Sequence, residues 1–188
     1  HGFKNKVAPY DAAIRGPLIF VKPDSQPTVI RTPVTAVDLT ATIMAQAETN
    51  PKWKMHGRDL TPLINGVKNF TGDQARMLLT HTARNYGKST AVIPKPGDKA
   101  LTHGPGVPWY AILCEGKFKY VRTLIEGEFE ELYDVNNDPE ELINLALNPA
   151  FQEILTSYRV NAKAELRRTE APFVDNLPAV KKVANSDN

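Results

Sequence analysis

Cysteine is nearly absent from this 188-residue chain, which has a single one, Cys114. An intramolecular disulfide is therefore excluded, and so is a zinc site built from several thiolates. The four histidines do not make up for the missing thiolates, because no two of them stand at the close spacing of a metal-binding pair. The sequence thus indicates no metal site within this chain.

An excess of one charge and a long apolar run are also missing. The chain has 23 Lys and Arg against 21 Asp and Glu, a formal net charge of +2, so we expect no nucleic-acid partner. No apolar run approaches the roughly 20 residues that span a bilayer, so we expect no membrane span. The 41% hydrophobic and 23% charged residues are close to the average for globular domains.

The beginning of the chain lacks both an initiator methionine and a signal peptide, since it reads His1-Gly2-Phe3. We therefore expect the chain to be a piece of a longer protein. Its length is that of one domain, or of one and a fraction. The 11 glycines and 15 prolines divide it into short blocks, which favours an α+β arrangement with many connecting loops.

The first half alternates weak and clear signals. The apolar run at 17–21 predicts a buried strand, and 77–80 predicts another. Thr35 and Asp38 form a capping-box pattern that predicts the start of a helix with apolar residues every fourth position. Residues 49–72 predict a loop with at most one short helical turn at 60–64. The breaker-rich stretch 85–108 predicts a functional or mobile loop.

The second half is more regular. Three β-rich runs, at 109–113, 118–124 and 128–135, are separated by short connections, which predicts an antiparallel meander. A turn at 136–139 leads to a predicted short helix at 140–146. Asn148-Pro149 then opens a long amphipathic helix, whose predicted inner face is Phe151, Ile154, Leu155, Tyr158, Ala162 and Leu166. Beyond Arg168 we expect an extended strap that frays.

Few residues taken singly indicate chemistry. Cys114 ends a β-rich run and has no visible base or helix terminus to lower its pKa, so we interpret it as a small buried strand residue. The lysines, Lys119 among them, are interpreted as solvated charges. The acidic group Asp134, Asp138, Glu140 and Glu141 is interpreted as turn capping and helix N-terminal charge. It lacks the ligand spacing and glycine of a calcium-binding hand.

One lysine stands in a distinctive context. His1-Gly2, Lys6, Tyr10-Asp11, Arg15 and Pro17-Leu18 have the order and spacing of a segment of type I sulfatases, His-Gly, Lys, three residues, Tyr-Glu, then Arg-x-Pro-Leu. The chain resembles this family further along as well. The matching motifs are Val37-Asp38-Leu39 with Thr42-Ile43, Gly57-Arg58-Asp59-Leu60-Thr61-Pro62-Leu63-Ile64-Asn65-Gly66, Ala111-Ile112 with Gly116-Lys117-Phe118-Lys119-Tyr120-Val121, and Glu131-Leu132-Tyr133-Asp134-Val135-Asn136-Asn137-Asp138-Pro139-Glu140-Glu141 through Asn144-Leu145-Ala146.

The resemblance implies an α/β, alkaline-phosphatase-like fold, of which this chain supplies an α+β part. Residues 1–75 would be the C-terminal end of the catalytic domain and its main sheet. Residues 76–170 would form a C-terminal subdomain, an antiparallel sheet with a long covering helix. Residues 171–188 would be an extended tail.

The resemblance also implies chemistry that lies mostly outside this chain. Members hydrolyse sulfate esters with a formylglycine made from Cys or Ser in Cys/Ser-x-Pro-x-Arg, beside a calcium ion. Residues 114–118 do not fit that motif, so we expect formylglycine and Ca²⁺ in the intact enzyme but outside this chain. Lys6 falls on the family's catalytic lysine, whose ammonium offsets negative charge on the sulfuryl and leaving oxygens. The chain alone is expected to be inactive, with the missing N-terminal catalytic part as its partner.

Four further residues are predicted to contact substrate: His1 beside the pocket, and His81, Arg84 and His103 in the stretch where members of the family differ in substrate. Arg15 is expected to form a structural ion pair with Asp11, which stands where the family has Glu. The implied substrate is a sulfated carbohydrate or another sulfate ester, and the implied compartment is the periplasm or the outside of the cell.

Two alternatives remain open. One is a phosphoester or phosphonate hydrolase of the same superfamily. The other is a non-catalytic module that binds glycans or protein. The module would fold alone, whereas a part of a larger enzyme should expose a large apolar face at 18–20.

Overall fold

A four-stranded antiparallel sheet and one long helix dominate the fold. The computed structural model describes residues 8–23, 26–67, 69–81, 93, 102–103 and 107–181. Its helices are α1 Asp11–Ile14, α2 Ala36–Gln46, α3 Thr61–Ile64 and α4 Gln152–Arg168, and its strands are β1 Met77–His81, β2 Thr102–His103, β3 Val107–Pro108, β4 Tyr110–Glu115, β5 Phe118–Thr123 and β6 Glu131–Asp134. The sheet order is β1-β4-β5-β6, and β2 pairs with β3 in a separate two-stranded sheet.

The meander predicted for the second half is confirmed. Strands β4 and β5 pair from Tyr110 opposite Thr123 to Glu115 opposite Phe118, so their connection is a two-residue turn. Gly116 opens this turn with a φ of +59°, a conformation that glycine adopts without strain. The predicted strand at 77–80 is also confirmed, because β1 pairs with β4 at the outer edge.

Helix α4 covers one face of the sheet, as its periodicity predicts. Its buried residues Leu155, Tyr158 and Ala162 pack with residues of the sheet and of the segment before the helix, namely Leu113, Tyr120, Leu132 and Ala146. A 3₁₀ turn at Pro149–Phe151 precedes the helix. The Asn148 side chain accepts a hydrogen bond from Ala150 N at 3.0 Å, which satisfies one of the free N–H groups at this end.

The opposite face of the sheet is covered by the beginning of the chain. Ile112, Val121 and Tyr133 are buried there, and Tyr10 and Ile14 pack against them. The alternation along β5 is imperfect in sequence because both of its faces are covered. Tyr10 and Ile14 therefore hold the segment around α1 in a defined position on the sheet.

A buried ion pair connects α2 with the loop that follows it. Asp38 accepts hydrogen bonds from Arg58 Nη2 at 2.6 Å and from Arg58 N at 2.7 Å. Thr35 N donates to Asp38 Oδ2 at 2.8 Å, the Asp half of the predicted capping box. Arg58 also donates to the carbonyls of Pro33 and Gln74. The Arg58 guanidinium thus connects α2 with the segments around Pro33 and Gln74.

The pKa of Asp38 gives this ion pair a pH dependence. Burial alone would raise the pKa, but hydrogen bonds from the Arg58 side chain and from the N–H groups of Arg58 and Thr35 outweigh it and hold the pKa below its usual value. Because the pKa is lower in the folded state, the stabilisation is present above the unfolded-state pKa of about 4 and is lost as pH falls through the folded-state pKa.

We therefore expect Asp38→Asn to lower the free energy of unfolding by about 3 kcal/mol at pH 7, the effect of removing one partner of a buried pair. The difference from the wild type should shrink as the pH is lowered from 5 to 3. Thermal unfolding of both proteins across this range measures it. A difference that stays constant down to pH 3 would show that the carboxylate charge is not involved.

Two predicted elements are absent. Residues 17–21, predicted as a buried strand, are irregular because no described strand pairs with them. Ile19 and Val21 are 80% and 89% exposed. The short helix predicted at 140–146 is also wrong. Glu141 has a φ of +55°, which breaks a right-handed helix, and only a 3₁₀ turn at Leu145–Leu147 follows. The predicted turn at 60–64 is confirmed as α3.

The tail after α4 stays attached through the last described residue. Phe173 and Val174 are buried with Trp109, Leu124 and Leu166. Further on, Gly127 N donates to Ala179 O at 3.2 Å and Lys181 N donates to Glu128 O at 3.0 Å. Within the described part of the chain, no helix combines the length and the apolar character that crossing a membrane would require.

Candidate functional site

Most of the predicted site residues lie outside the described residues. This holds for His1, Lys6 and Arg84. The backbone of His81 ends β1 opposite Tyr110, and that of His103 lies in β2 opposite Val107, while both side chains are outside the described set. The grouping of these residues around a substrate stays a prediction.

The segment directly after Lys6 is described, and it ends in a buried ionic cluster. Lys119 Nζ lies 2.8 Å from Asp11 Oδ1 and 2.5 Å from Glu141 Oε1. Asp11 N donates to Glu141 Oε2 at 2.5 Å. Asp11 in α1, Lys119 in β5 and Glu141 in the turn after β6 thus meet at one point, which we call the Lys119 cluster.

The interpretation of Lys119 as a solvated lysine is wrong. Its side chain is 1% exposed, as is that of Glu141, and that of Asp11 is 24% exposed. Burying an ammonium without partners is strongly unfavourable, so two carboxylates are required to hold this one. The residue stands on the face of β5 that also carries Val121, and α1 covers this face.

Negative charge exceeds positive charge around Lys119. Burial raises the pKa of Glu141, although the Lys119 ammonium and the Asp11 N–H oppose the effect. Burial also raises the pKa of Glu131, which accepts a hydrogen bond from the Tyr133 hydroxyl at 2.9 Å. The Glu141 and Glu131 carboxyl groups therefore keep a proton to a higher pH than they would at the surface.

Glu141 reaches the cluster through a turn stabilised by Asp138. The Asp138 carboxylate accepts hydrogen bonds from Leu142 N at 3.1 Å and Ile143 N at 2.9 Å. Asp134 similarly accepts from Asn136 N and Asn137 N. The predicted capping role is confirmed for these two aspartates, whereas Glu141 is an ion-pair partner of Lys119.

The predicted pair of Arg15 and Asp11 is present but weak. Arg15 Nη1 lies 3.5 Å from Asp11 Oδ2, and the Arg15 side chain is 77% exposed. Exposed pairs of this kind contribute roughly 0–1 kcal/mol. The principal partner of Asp11 is Lys119, a contact between residues 108 positions apart.

The described residues offer neither a reactive thiol nor a cluster of three or more metal ligands. Burial raises the pKa of Cys114 to about 12, so its thiol is protonated at neutral pH and poorly nucleophilic. This supports its interpretation as a structural residue. Among the described residues, no group of three or more His, Cys, Asp or Glu side chains could hold a metal ion. That calcium and formylglycine belong to a part of the enzyme outside this chain stays a prediction.

Comparisons with known proteins give a consistent result. A choline-sulfatase from Rhizobium meliloti (strain 1021) is 29% identical over 159 residues, which is 80% of this chain and 25% of the relative. A Bacteroides thetaiotaomicron protein of glycosaminoglycan metabolism matches with a TM-score of 0.55 at 16% identity, over 82% of this chain and 31% of that one. A 2-O GAG sulfatase matches with a TM-score of 0.51 at 20% identity, over 73% and 26%.

These matches show the fold, and the chain spans about a quarter of the length of the relatives it matches. No protein-family model matches the chain.

Proposed function

We propose that this chain supplies the C-terminal part of a sulfuric ester hydrolase. It is homologous to a sulfatase, and its fold matches about a quarter of the length of the sulfatases compared. One observation carries the proposal. Three separate motifs resemble the family: the segment with Lys6 and Tyr10-Asp11, the hairpin with Lys119, and the signature with Glu141. In the structure, Asp11, Lys119 and Glu141 from these three motifs meet in one buried cluster.

In this proposal Lys6 acts on the substrate. A positively charged ammonium beside a sulfate ester favours the reaction most where charge develops, on the sulfuryl oxygens and on the leaving oxygen. Lys6 therefore lowers the barrier of S–O cleavage, and His1 borders the same pocket. The nucleophile and the calcium ligands are contributed by a part of the enzyme outside this chain, because neither residues 114–118 nor the described carboxylates fit them.

An exposed apolar surface supports assembly with such a part. Leu18, Ile19, Phe20 and Val21 form a continuous apolar run, and all four side chains are at least 43% exposed. A large contiguous apolar patch on the surface of a folded protein marks a site where another molecule binds. The run follows α1 directly, so a partner covering it would lie next to the segment that carries Lys6.

The substrate in this proposal is a sulfated carbohydrate, and the compartment is the periplasm or the outside of the cell. The 2-O GAG sulfatase among the matches supports the first choice. His81, Arg84 and His103 are the residues proposed to contact the sugar.

Turnover of matched esters by the full-length protein tests the reaction class. We expect 4-nitrophenyl sulfate to be hydrolysed with a kcat/KM at least about tenfold above that of 4-nitrophenyl phosphate, and a sulfated disaccharide to be a better substrate than choline sulfate. Faster hydrolysis of the phosphate would favour a phosphoester hydrolase. Absence of turnover with every ester would favour a non-catalytic module.

A further inference from the structure

Helix α1 is held against the sheet by the apolar contacts of Tyr10 and Ile14 and by the Lys119 cluster. It has four residues, none of them buried, and a helix this short is not stable by itself. Tyr10 contributes an edge-on ring contact with Tyr133, at a centroid distance of 6.2 Å. The polar contacts that fix both the backbone and the side chain of Asp11 come from Glu141 and Lys119.

A buried ionic cluster adds little to the free energy of unfolding, but it fixes the relative positions of its members. The desolvation of the buried charges offsets most of their attraction, so the net gain in unfolding free energy is small. An apolar contact tolerates sliding, whereas these three contacts of 2.5 to 2.8 Å require one arrangement of Asp11. The cluster therefore specifies where α1 lies along the sheet.

The position of Asp11 limits the position of Lys6. Five residues of fully extended chain span at most about 17 Å, so Lys6 cannot reach further than that from its anchor. Catalysis is sensitive to such placement, since a displacement of about 1 Å at a reacting group can reduce the rate about 10²-fold.

The geometry points to Lys119 and Glu141 as positioning residues for Lys6, acting through Asp11. This inference rests on the proposed function, in which Lys6 contacts the sulfate. Neither residue touches the substrate in this account. Their effect on the rate is indirect and must therefore depend on the presence of the Lys6 ammonium.

A double-mutant cycle in the full-length enzyme tests this dependence. The proteins are the wild type, Lys6→Ala, Glu141→Ala and the double variant, with kcat and KM measured on 4-nitrophenyl sulfate and corrected for the folded fraction. We expect Glu141→Ala to lower kcat about 10- to 100-fold when Lys6 is present, and less than about threefold in the Lys6→Ala background. Lys119→Met should show the same dependence on Lys6. If Glu141→Ala or Lys119→Met fails to fold, Glu141→Gln takes its place in the cycle.

Lys117→Met is the matched control. Lys117 lies two residues from Lys119 and pairs with Asp134 at 2.6 Å, but its side chain is 47% exposed and its partner is not in the Lys119 cluster. We expect its kcat to stay within about twofold of the wild type. An equal loss from Glu141→Ala in both backgrounds would overturn the positioning role and leave the proposed function standing. Unchanged turnover in Lys6→Ala would overturn the role of Lys6, and the positioning role with it, and leave the reaction class standing.

Discussion

Replacing Lys6 by alanine in the full-length enzyme is expected to lower kcat for sulfate release by about 10²–10³-fold, the usual effect of removing one group that stabilises developing negative charge. KM should change less than kcat, because the ammonium matters most in the transition state. Steady-state kinetics with 4-nitrophenyl sulfate, together with thermal unfolding of the same samples, measure the effect.

Lys4→Ala is the matched control for this prediction. Lys4 is two positions from Lys6 in the same segment and does not fall on a lysine of the sulfatase motif. We expect its kinetics to remain close to those of the wild type. If Lys6→Ala turned over substrate normally, or if Lys4→Ala were equally impaired, the assignment of Lys6 would be wrong.

Gly57→Ala is expected to be the most destabilising single substitution we describe. A Cβ at this position would lie 2.1 Å from Val37 O and 2.5 Å from Val37 C. These are backbone atoms in the first turn of α2, so the helix itself would have to move. The shift would disturb the Asp38–Arg58 pair, and we expect a loss on the order of 3 kcal/mol or more in unfolding free energy. Urea unfolding measures it.

Gly16→Ala is the control for the glycine substitution. No atom lies within 4 Å of a Cβ built at Gly16, and the residue is exposed. The change should leave the urea midpoint nearly unchanged. A Gly57→Ala protein as stable as the control would show that α2 can shift without losing its contact with Arg58.

The elements that the sequence predicts correctly are those specified by local signals. The meander depends on short turns such as the one at Gly116, and α4 depends on its own apolar periodicity and on Asn148. The strand predicted at 17–21 failed because a strand requires a hydrogen-bonded neighbour, which the described chain does not supply. The helix predicted at 140–146 failed because Glu141 adopts a left-handed backbone conformation to reach a distant partner.

The candidate site could be predicted only in part for the same reason. The motif around Lys6 is visible in the sequence, and the Arg15–Asp11 pair was expected from the family resemblance. The burial of Lys119 depends on carboxylates 108 residues before it and 22 residues after it, which no local pattern reveals. A usable signal was its position two residues before Val121, on a strand face that proved to be covered.

The Lys119 cluster also bears on the order in which the chain assembles. The contact between Asp11 and Glu141 closes a loop of 130 residues, whereas the meander and α4 form from neighbouring segments. Long-range closure carries a larger entropic penalty and tends to follow local structure. The N-terminal segment should therefore dock onto a finished sheet, and it can detach again while the sheet and α4 remain folded.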